Sequence, residues 1–323
     1  MATQEVTYLH RQLEERKRRL EDAIALAPQN VSLGGLLHEV DSALERLAGG
    51  TYGLCLECHA PIENDRLLAD PLLCFCLDHL SAAQQKALQR DLDLAAQIQR
   101  HLLPSASLDT GGWKTSYYYG PHGAVSGDYC DLIPTDGRLF FALGDVSGKG
   151  VAASMLMAQL HALFRSLTRM SLPLDEIVTQ ANRVFCESAL AGQYATLVCG
   201  EAWPTGEVEI HNAGHLPAVA LKREGIKRIE SASMPLGMFC DVSFSAERLR
   251  LEPGDMLALY TDGLSEARCA DEEYGVDRIA NVLRQQEGQS PADVVAACLR
   301  DMHSFVDSPP FDDVTLLVIQ RTA

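Results

Sequence analysis

The sequence predicts an α+β protein whose larger part is an antiparallel β-sandwich flanked by helices. From residue 107 onward, short apolar runs follow one another with turn residues between them. They fall at 113–119, 125–133, 138–145, 194–203, 206–212, 216–222, 247–251, 255–261 and 314–320. Longer amphipathic stretches interrupt them in pairs, at 151–169 with 173–189 and at 275–287 with 291–305, where Ser290-Pro291 is a good helix start. Strands in succession and helices in pairs do not make the regular alternation of a parallel sheet. No GxxxxGK[ST] or GxGxxG is present, and Gly148-Lys149-Gly150 lacks the upstream glycine of a phosphate loop.

The elements before residue 107 are helical with one exception. Residues 4–27 carry Leu9, Leu13, Leu20, Ile24 and Ala27 on one stripe, and Ala27-Pro28-Gln29-Asn30 breaks it. A second stripe of Leu33, Leu37, Val40, Leu44 and Leu47 runs to Gly49-Gly50. Two such helices form either an antiparallel hairpin zipped through its apolar faces or a pair of ordinary core helices. Residues 51–80 lack periodicity but hold Cys55, Cys58, Cys74, Cys76 and His79. Ser81-Ala-Ala-Gln84 then reads as a capping box opening a helix to about Leu103, which Pro104 ends. Leu88, Leu92, Ala95 and Leu102 share one face of it, with Leu94 and Ile98 beside them, more apolar surface than a solvated tether carries. The chain therefore divides into a helical hairpin (1–50), a small finger (51–80), a linker helix (81–106) and the sandwich (107–323).

Composition narrows the function. A formal net charge of −17 argues against gripping nucleic acid through its phosphates. No apolar run reaches about 20 residues and no signal-peptide pattern is present, so a soluble, cytoplasmic protein without a membrane partner is expected. Ten cysteines in 323 residues are too dilute for a disulfide scaffold, and four of them crowd into residues 55–76. Cys55-x-x-Cys58, a loop, and Cys76-x-x-His79 fit the spacing of one tetrahedral structural zinc. Cys74 is a spare thiol in that register, and His59 reads as a loop residue.

A second constellation is acidic. Asp145 follows the apolar run 139–143 and opens the turn Asp-Val-Ser-Gly-Lys-Gly150. Asp128, Asp262 and the pair Asp312–Asp313 also border apolar runs, so four strand ends can bring carboxylates together. Such a cluster repels itself unless cations neutralise it, and hard divalent ions prefer these oxygen ligands.

Residues 90–320 resemble the SpoIIE/RsbU branch of the metal-dependent (type 2C, PPM) serine/threonine phosphatases. The matching residues are Gln97-Ile98-Gln99-x-x-Leu102-Leu103-Pro104, Val125-Ser-Gly-Asp128-Tyr-Cys-Asp131 and Gly144-Asp-Val-Ser-Gly-Lys-Gly150. They continue through Asn212-Ala-Gly-His-Leu-Pro217, Pro235-Leu-Gly237, Thr261-Asp-Gly263, Glu266-Ala267 and Asp312-Asp313-Val314-Thr315. The resemblance implies hydrolysis of phosphoserine or phosphothreonine by two Mn2+ or Mg2+ ions that share Asp145. Asp128 and the Val146 carbonyl complete one site, Asp262 and Asp312 the other, and a hydroxide held between the ions attacks phosphorus. Asp313 is then either a supporting group or a contact for an extra metal. His215 is either a general acid or a residue shaping the sheet edge. The substrates implied are phosphorylated signalling proteins, typically STAS-domain anti-sigma-factor antagonists in partner switching, with a homodimer formed through the N-terminal or linker helices.

Ala43-Leu44-Glu45-Arg46-Leu47, Gly50-Thr51-Tyr52-Gly53, Cys55-x-x-Cys58, Ile62, Arg66-Leu67, Pro71 and Cys76 resemble the DksA/TraR-type zinc finger, with His79 where that family usually has Cys. This supports the hairpin. It also raises the alternative of a non-catalytic regulator binding RNA polymerase, which the absence of a carboxylate at the tip, residues 28–32, argues against.

Overall fold

The computed structural model describes residues 3–26, 31–79, 82–135, 137–170, 172–190, 192–270, 272–307 and 310–322. It divides into two compact units, residues 1–91 and 92–323.

In the first unit, α1 (Thr3–Leu26) and α2 (Val31–Ala48) form the hairpin, and α3 (Asn64–Ala69) follows. Leu9, Leu13, Val40 and Ala43 are buried between the helices and share one cluster with Tyr52, Cys55, Ile62, Leu67 and Cys76. The stripes thus do what their spacing dictates, and Lys17 bonds Asp41 across the outside at 2.8 Å. The hairpin tip, 27–30, lies outside the described residues, as does Ser81 of the expected capping box. Helix α4 (Ala82–Leu102) follows, and the boundary between the units falls within it. Among its described side chains Gln99 is the buried one, Leu92, Ala95 and Leu102 are half-buried, and Leu88, Leu94 and Ile98 are exposed. The apolar face expected from the sequence is therefore only partly covered, because an amide supplies the main inward contact.

The second unit holds two antiparallel sheets. One runs β1 (Ser107–Thr110), β2 (Trp113–Gly120), β13 (Val314–Arg321), β10 (Met256–Tyr260), β7 (Ala218–Lys222) and β8 (Gly225–Ile229). The other runs β3 (Asp128–Thr135), β4 (Arg138–Val146), β5 (Ala195–Ala202), β6 (Glu207–Ala213) and β9 (Ala246–Arg250). Alternate residues face each other between the sheets, including Trp113, Phe141, Val198, Leu257 and Leu317. Helices α5 (Gly150–Leu167) and α6 (Leu174–Ser188) cover the second sheet through Leu160, Phe164, Ile177 and Phe185. The first sheet is covered by α8 (Gly275–Gln285) and α9 (Pro291–Phe305) through Ile279, Leu283, Val294 and Cys298. The result is the helix-flanked antiparallel sandwich that the sequence predicts.

The short elements escaped the sequence reading. These are α3, β1, β8, the one-turn helix α7 (Asp262–Ser265), and β11 (Arg268–Cys269) paired with β12 (Glu272–Glu273). The strands among them are edge or two-residue strands with polar sequence, which carry no apolar period to detect. No helix among the described residues is long and apolar enough to cross a membrane.

Candidate active site

Pairing of β3 with β4 sets Asp128 directly opposite Asp145. Like charges so placed repel. The turn after Asp145 needs glycine, since Gly148 and Gly150 have φ of 98° and 72°. Asp262 and Asp312 come from the other sheet, where β10 and β13 are neighbours. Gly263 makes that approach feasible: a Cβ there would stand 2.0 Å from the Asp313 carbonyl oxygen. The four carboxylates thus converge from both sheets at one end of the sandwich.

Two threonines fasten the sheets together at this end. Asp128 Oδ2 accepts from Thr261 Oγ1 at 3.0 Å and from Thr315 Oγ1, both from the side of the opposite sheet, where Thr261 directly precedes Asp262 and Thr315 lies in β13 two residues after Asp313. Burial pushes the Asp128 carboxyl well up; those hydroxyls oppose the rise, and Asp145 and Asp313 add to it. Asp145 is pushed up to about 7 by burial and then by Asp262, Asp312 and Asp313. Burial and Asp312 likewise raise Asp262. The centre is a set of hard oxygen donors short of positive charge, which is the electrostatic condition a divalent cation relieves.

The supporting groups are now visible. Asp313 accepts from the His122 and Gly127 backbone N–H groups at 2.7 and 3.1 Å, tying the segment before Asp128 to the start of β13. This explains why strand β3 begins at Asp128 rather than at Val125. Gln99 of α4 holds the same segment by both amide atoms: Nε2 donates to Ser126 O at 2.7 Å, and Oε1 accepts from Ser126 N at 3.0 Å. Asp131 is buried and takes two bonds from Arg165, locking β3 to α5.

His215 lies at the junction of the sheets. Its Nε2 donates to the Tyr260 carbonyl at 3.0 Å, which leaves Nδ1 to accept from Thr196 Oγ1 at 2.8 Å. With both nitrogens engaged in bridging the sheets, it has no proton to offer a substrate. Burial lowers its pKa to about 4. A histidine held neutral stabilises the fold at neutral pH, and that contribution fades as pH falls from about 6.5 through the folded value. We expect His215→Ala to remove an acid-limb loss of order 3 kcal/mol from the stability-versus-pH curve. Denaturant unfolding from neutral pH to pH ~4 checks this; an unchanged acid limb contradicts it.

In the first unit, the donor atoms of Cys55, Cys58, Cys76 and His79 all lie within 4.8 Å of one another. Cys76 Sγ is 3.2 Å from His79 Nδ1 and 3.7 Å from Cys58 Sγ. Cys74 points elsewhere, accepting from Arg46 Nη1 at 2.7 Å and donating to the Leu72 carbonyl. His59 stands apart as an exposed turn residue with φ of 56°.

The model of the family described as Stage II sporulation protein E (SpoIIE) matches residues 135–322, more than half of the chain. The chain belongs to the SpoIIE family. Among SpoIIE-related proteins it is similar to the phosphoserine phosphatase RsbU of Bacillus subtilis, 22% identical over 98% of this chain and 86% of that protein. It is also similar to protein IcfG of Synechocystis sp., 28% identical over 72% of this chain but only 41% of IcfG. Among solved structures, the RsbU and RsbW domains of Rv1364c from Mycobacterium tuberculosis superpose with a TM-score of 0.59 at 26% identity, covering 68% of this chain and 62% of that one. The SiaA-PP2C domain of Pseudomonas aeruginosa superposes with a TM-score of 0.65 at 21% identity, covering 74% and 98%. The fold of the second unit is thus PP2C-like.

Proposed function

We propose that the SpoIIE-family unit is a metal-dependent protein serine/threonine phosphatase acting on a phosphorylated signalling protein. The observation that carries this is the convergence of Asp128, Asp145, Asp262 and Asp312 from both sheets, with the burial and then the acidic neighbours that raise Asp145. Asp128, Asp145 and the Val146 carbonyl would hold one Mn2+ or Mg2+, and Asp145, Asp262 and Asp312 a second. Two such ions would supply activation of a water nucleophile at neutral pH and would offset charge on the phosphoryl oxygens. The protein's own part is to fix the four carboxylates. Thr261 and Thr315 orient Asp128, Gly263 admits Asp262, and Asp313 holds the segment from His122 to Gly127 rather than serving as a ligand. The likeness to the phosphoserine phosphatase RsbU supports a phosphoserine protein as substrate, and the motif resemblance implies that it is a STAS-domain protein in partner switching. The test is hydrolysis of a phosphoserine protein or p-nitrophenyl phosphate, expected only with Mn2+ or Mg2+ and stopped by EDTA. Metal-independent hydrolysis would refute the reading.

For the first unit we propose one structural zinc on Cys55, Cys58, Cys76 and His79, a closed donor set that replaces a core too small to stand alone. All ten cysteines are unpaired, which supports a reducing, cytoplasmic location. We further propose a homodimer through α4, whose Leu94 and Ile98 are 56% and 57% exposed one turn apart. Leu94→Ser with Ile98→Ser is expected to weaken self-association in sedimentation without lowering the melting temperature. An unchanged association state would rule out a dimer through this face.

A further inference from the structure

Lys149 sits between the two glycines of the turn after Asp145, and its ammonium is engaged with the carboxylate centre. Its Nζ donates to Asp312 Oδ2 at 2.7 Å and to the Phe311 carbonyl at 3.2 Å. It borders two of the openings beside the centre. One, of about 280 Å3, is lined also by Asp262, Glu266, Arg268 and Asp312. The other, of about 260 Å3, is lined by Val125, Val151, Asp312 and Asp313 among others. Arg268, the other cation at the first opening, is already paired with Glu273 at 2.6 Å. Lys149 is the positive charge that holds Asp145 and Asp262 down against burial and their acidic neighbours.

We infer that Lys149 is the carboxylate centre's own counter-ion, holding Asp312 when no divalent cation is bound and thereby setting how tightly the centre takes one. This rests on the metal-dependent reading above. Its sign follows from charge alone. An ammonium 2.7 Å from a carboxylate oxygen lowers the repulsion among the acids in the cation-free protein. The same ammonium repels an incoming divalent ion and competes for Asp312. Both effects weaken cation binding, so neutralising Lys149 strengthens it. The lysine side chain is 66% exposed, so screening holds the gain well below the Coulomb value for a buried pair. A gain of about tenfold in affinity is the scale expected for such a partly screened charge.

Calorimetric titration of the full chain with Mn2+ at neutral pH tests this, comparing wild type, Lys149→Gln and Lys149→Arg. Lys149→Gln is expected to bind about tenfold more tightly, Lys149→Arg to match wild type, and added salt to narrow the difference. Without cation, Lys149→Gln should melt lower than wild type, and saturating Mn2+ should erase that deficit. A packing role would leave the deficit in place and overturn the inference. Unchanged or weaker Mn2+ binding by Lys149→Gln overturns it too. A raised KM for a phosphoprotein with unaltered Mn2+ affinity would instead assign Lys149 to the substrate. Wild-type protein that takes up no Mn2+ would overturn the metal-dependent reading itself, an outcome distinct from these.

Discussion

Asp145→Asn is expected to lower cation-dependent hydrolysis by at least about a thousandfold, roughly 4 kcal/mol of barrier, while residues 92–323 stay folded. Asp145 lies opposite Asp128 on β3 and feels Asp262, Asp312 and Asp313 from the other sheet. It is therefore the carboxylate common to both pairs, and its charge serves both proposed ion positions at once. Asparagine keeps the shape and a carbonyl oxygen but loses that charge. Removing one member of a repelling acidic cluster should, if anything, stabilise the cation-free fold, so lost activity will not reflect unfolding. Turnover of p-nitrophenyl phosphate at saturating Mn2+, with circular dichroism as the fold control, checks the expectation. Activity within tenfold of wild type would rule out a shared ligand at this position.

Cys55→Ser is expected to abolish the proposed zinc site and to unfold residues 51–79, leaving the proposed cation-dependent hydrolysis of the second unit in place. Cys55 is fully buried in the small cluster with Leu67, Ile62 and Tyr52. Burial works against its thiolate, but backbone N–H groups of Cys58, Cys76 and Glu57 outweigh this and bring the thiol down to about 6. Burial and then the neighbouring thiols push Cys76 up to about 11, so of these two thiols Cys55 is the one that carries thiolate, the ligand form, near neutral pH before a metal binds. A serine oxygen provides neither that charge nor the soft donor. Because a short finger gains most of its stability from the metal, losing one ligand should cost several kcal/mol locally. Zinc content by atomic absorption, together with proteolysis within 51–79, checks it. Cys74→Ser is the matched control and should retain zinc, since that thiol is bonded to Arg46 outside the cluster. Zinc loss in Cys74→Ser with retention in Cys76→Ser would reverse the ligand register.

Much of this molecule was legible from local sequence. Apolar runs bounded by turn residues marked the long strands, because a strand inside a sandwich must bury alternate or all of its side chains. Asp128, Asp145, Asp262 and Asp312 stood out because each follows or precedes such a run, and a strand end is where a side chain can leave the core. The cysteine spacing and the two helical stripes were equally local signals. What the tertiary structure decided was every relation between distant segments. The strand order β2-β13-β10-β7 joins residues far apart in the chain, and no periodicity encodes it. Those pairings turned Thr261 and Thr315 into partners of Asp128, and Asp313 into a clamp on the His122 and Gly127 amides. They also turned His215 from a candidate acid into a neutral bridge between sheets. Lys149 read from sequence as a turn residue beside two glycines, and only its closeness to Asp312 made it a charge of the site. Residue type and local pattern determine what an element can bury; the role of a polar side chain depends on which distant partner satisfies its hydrogen bonds and charge once buried.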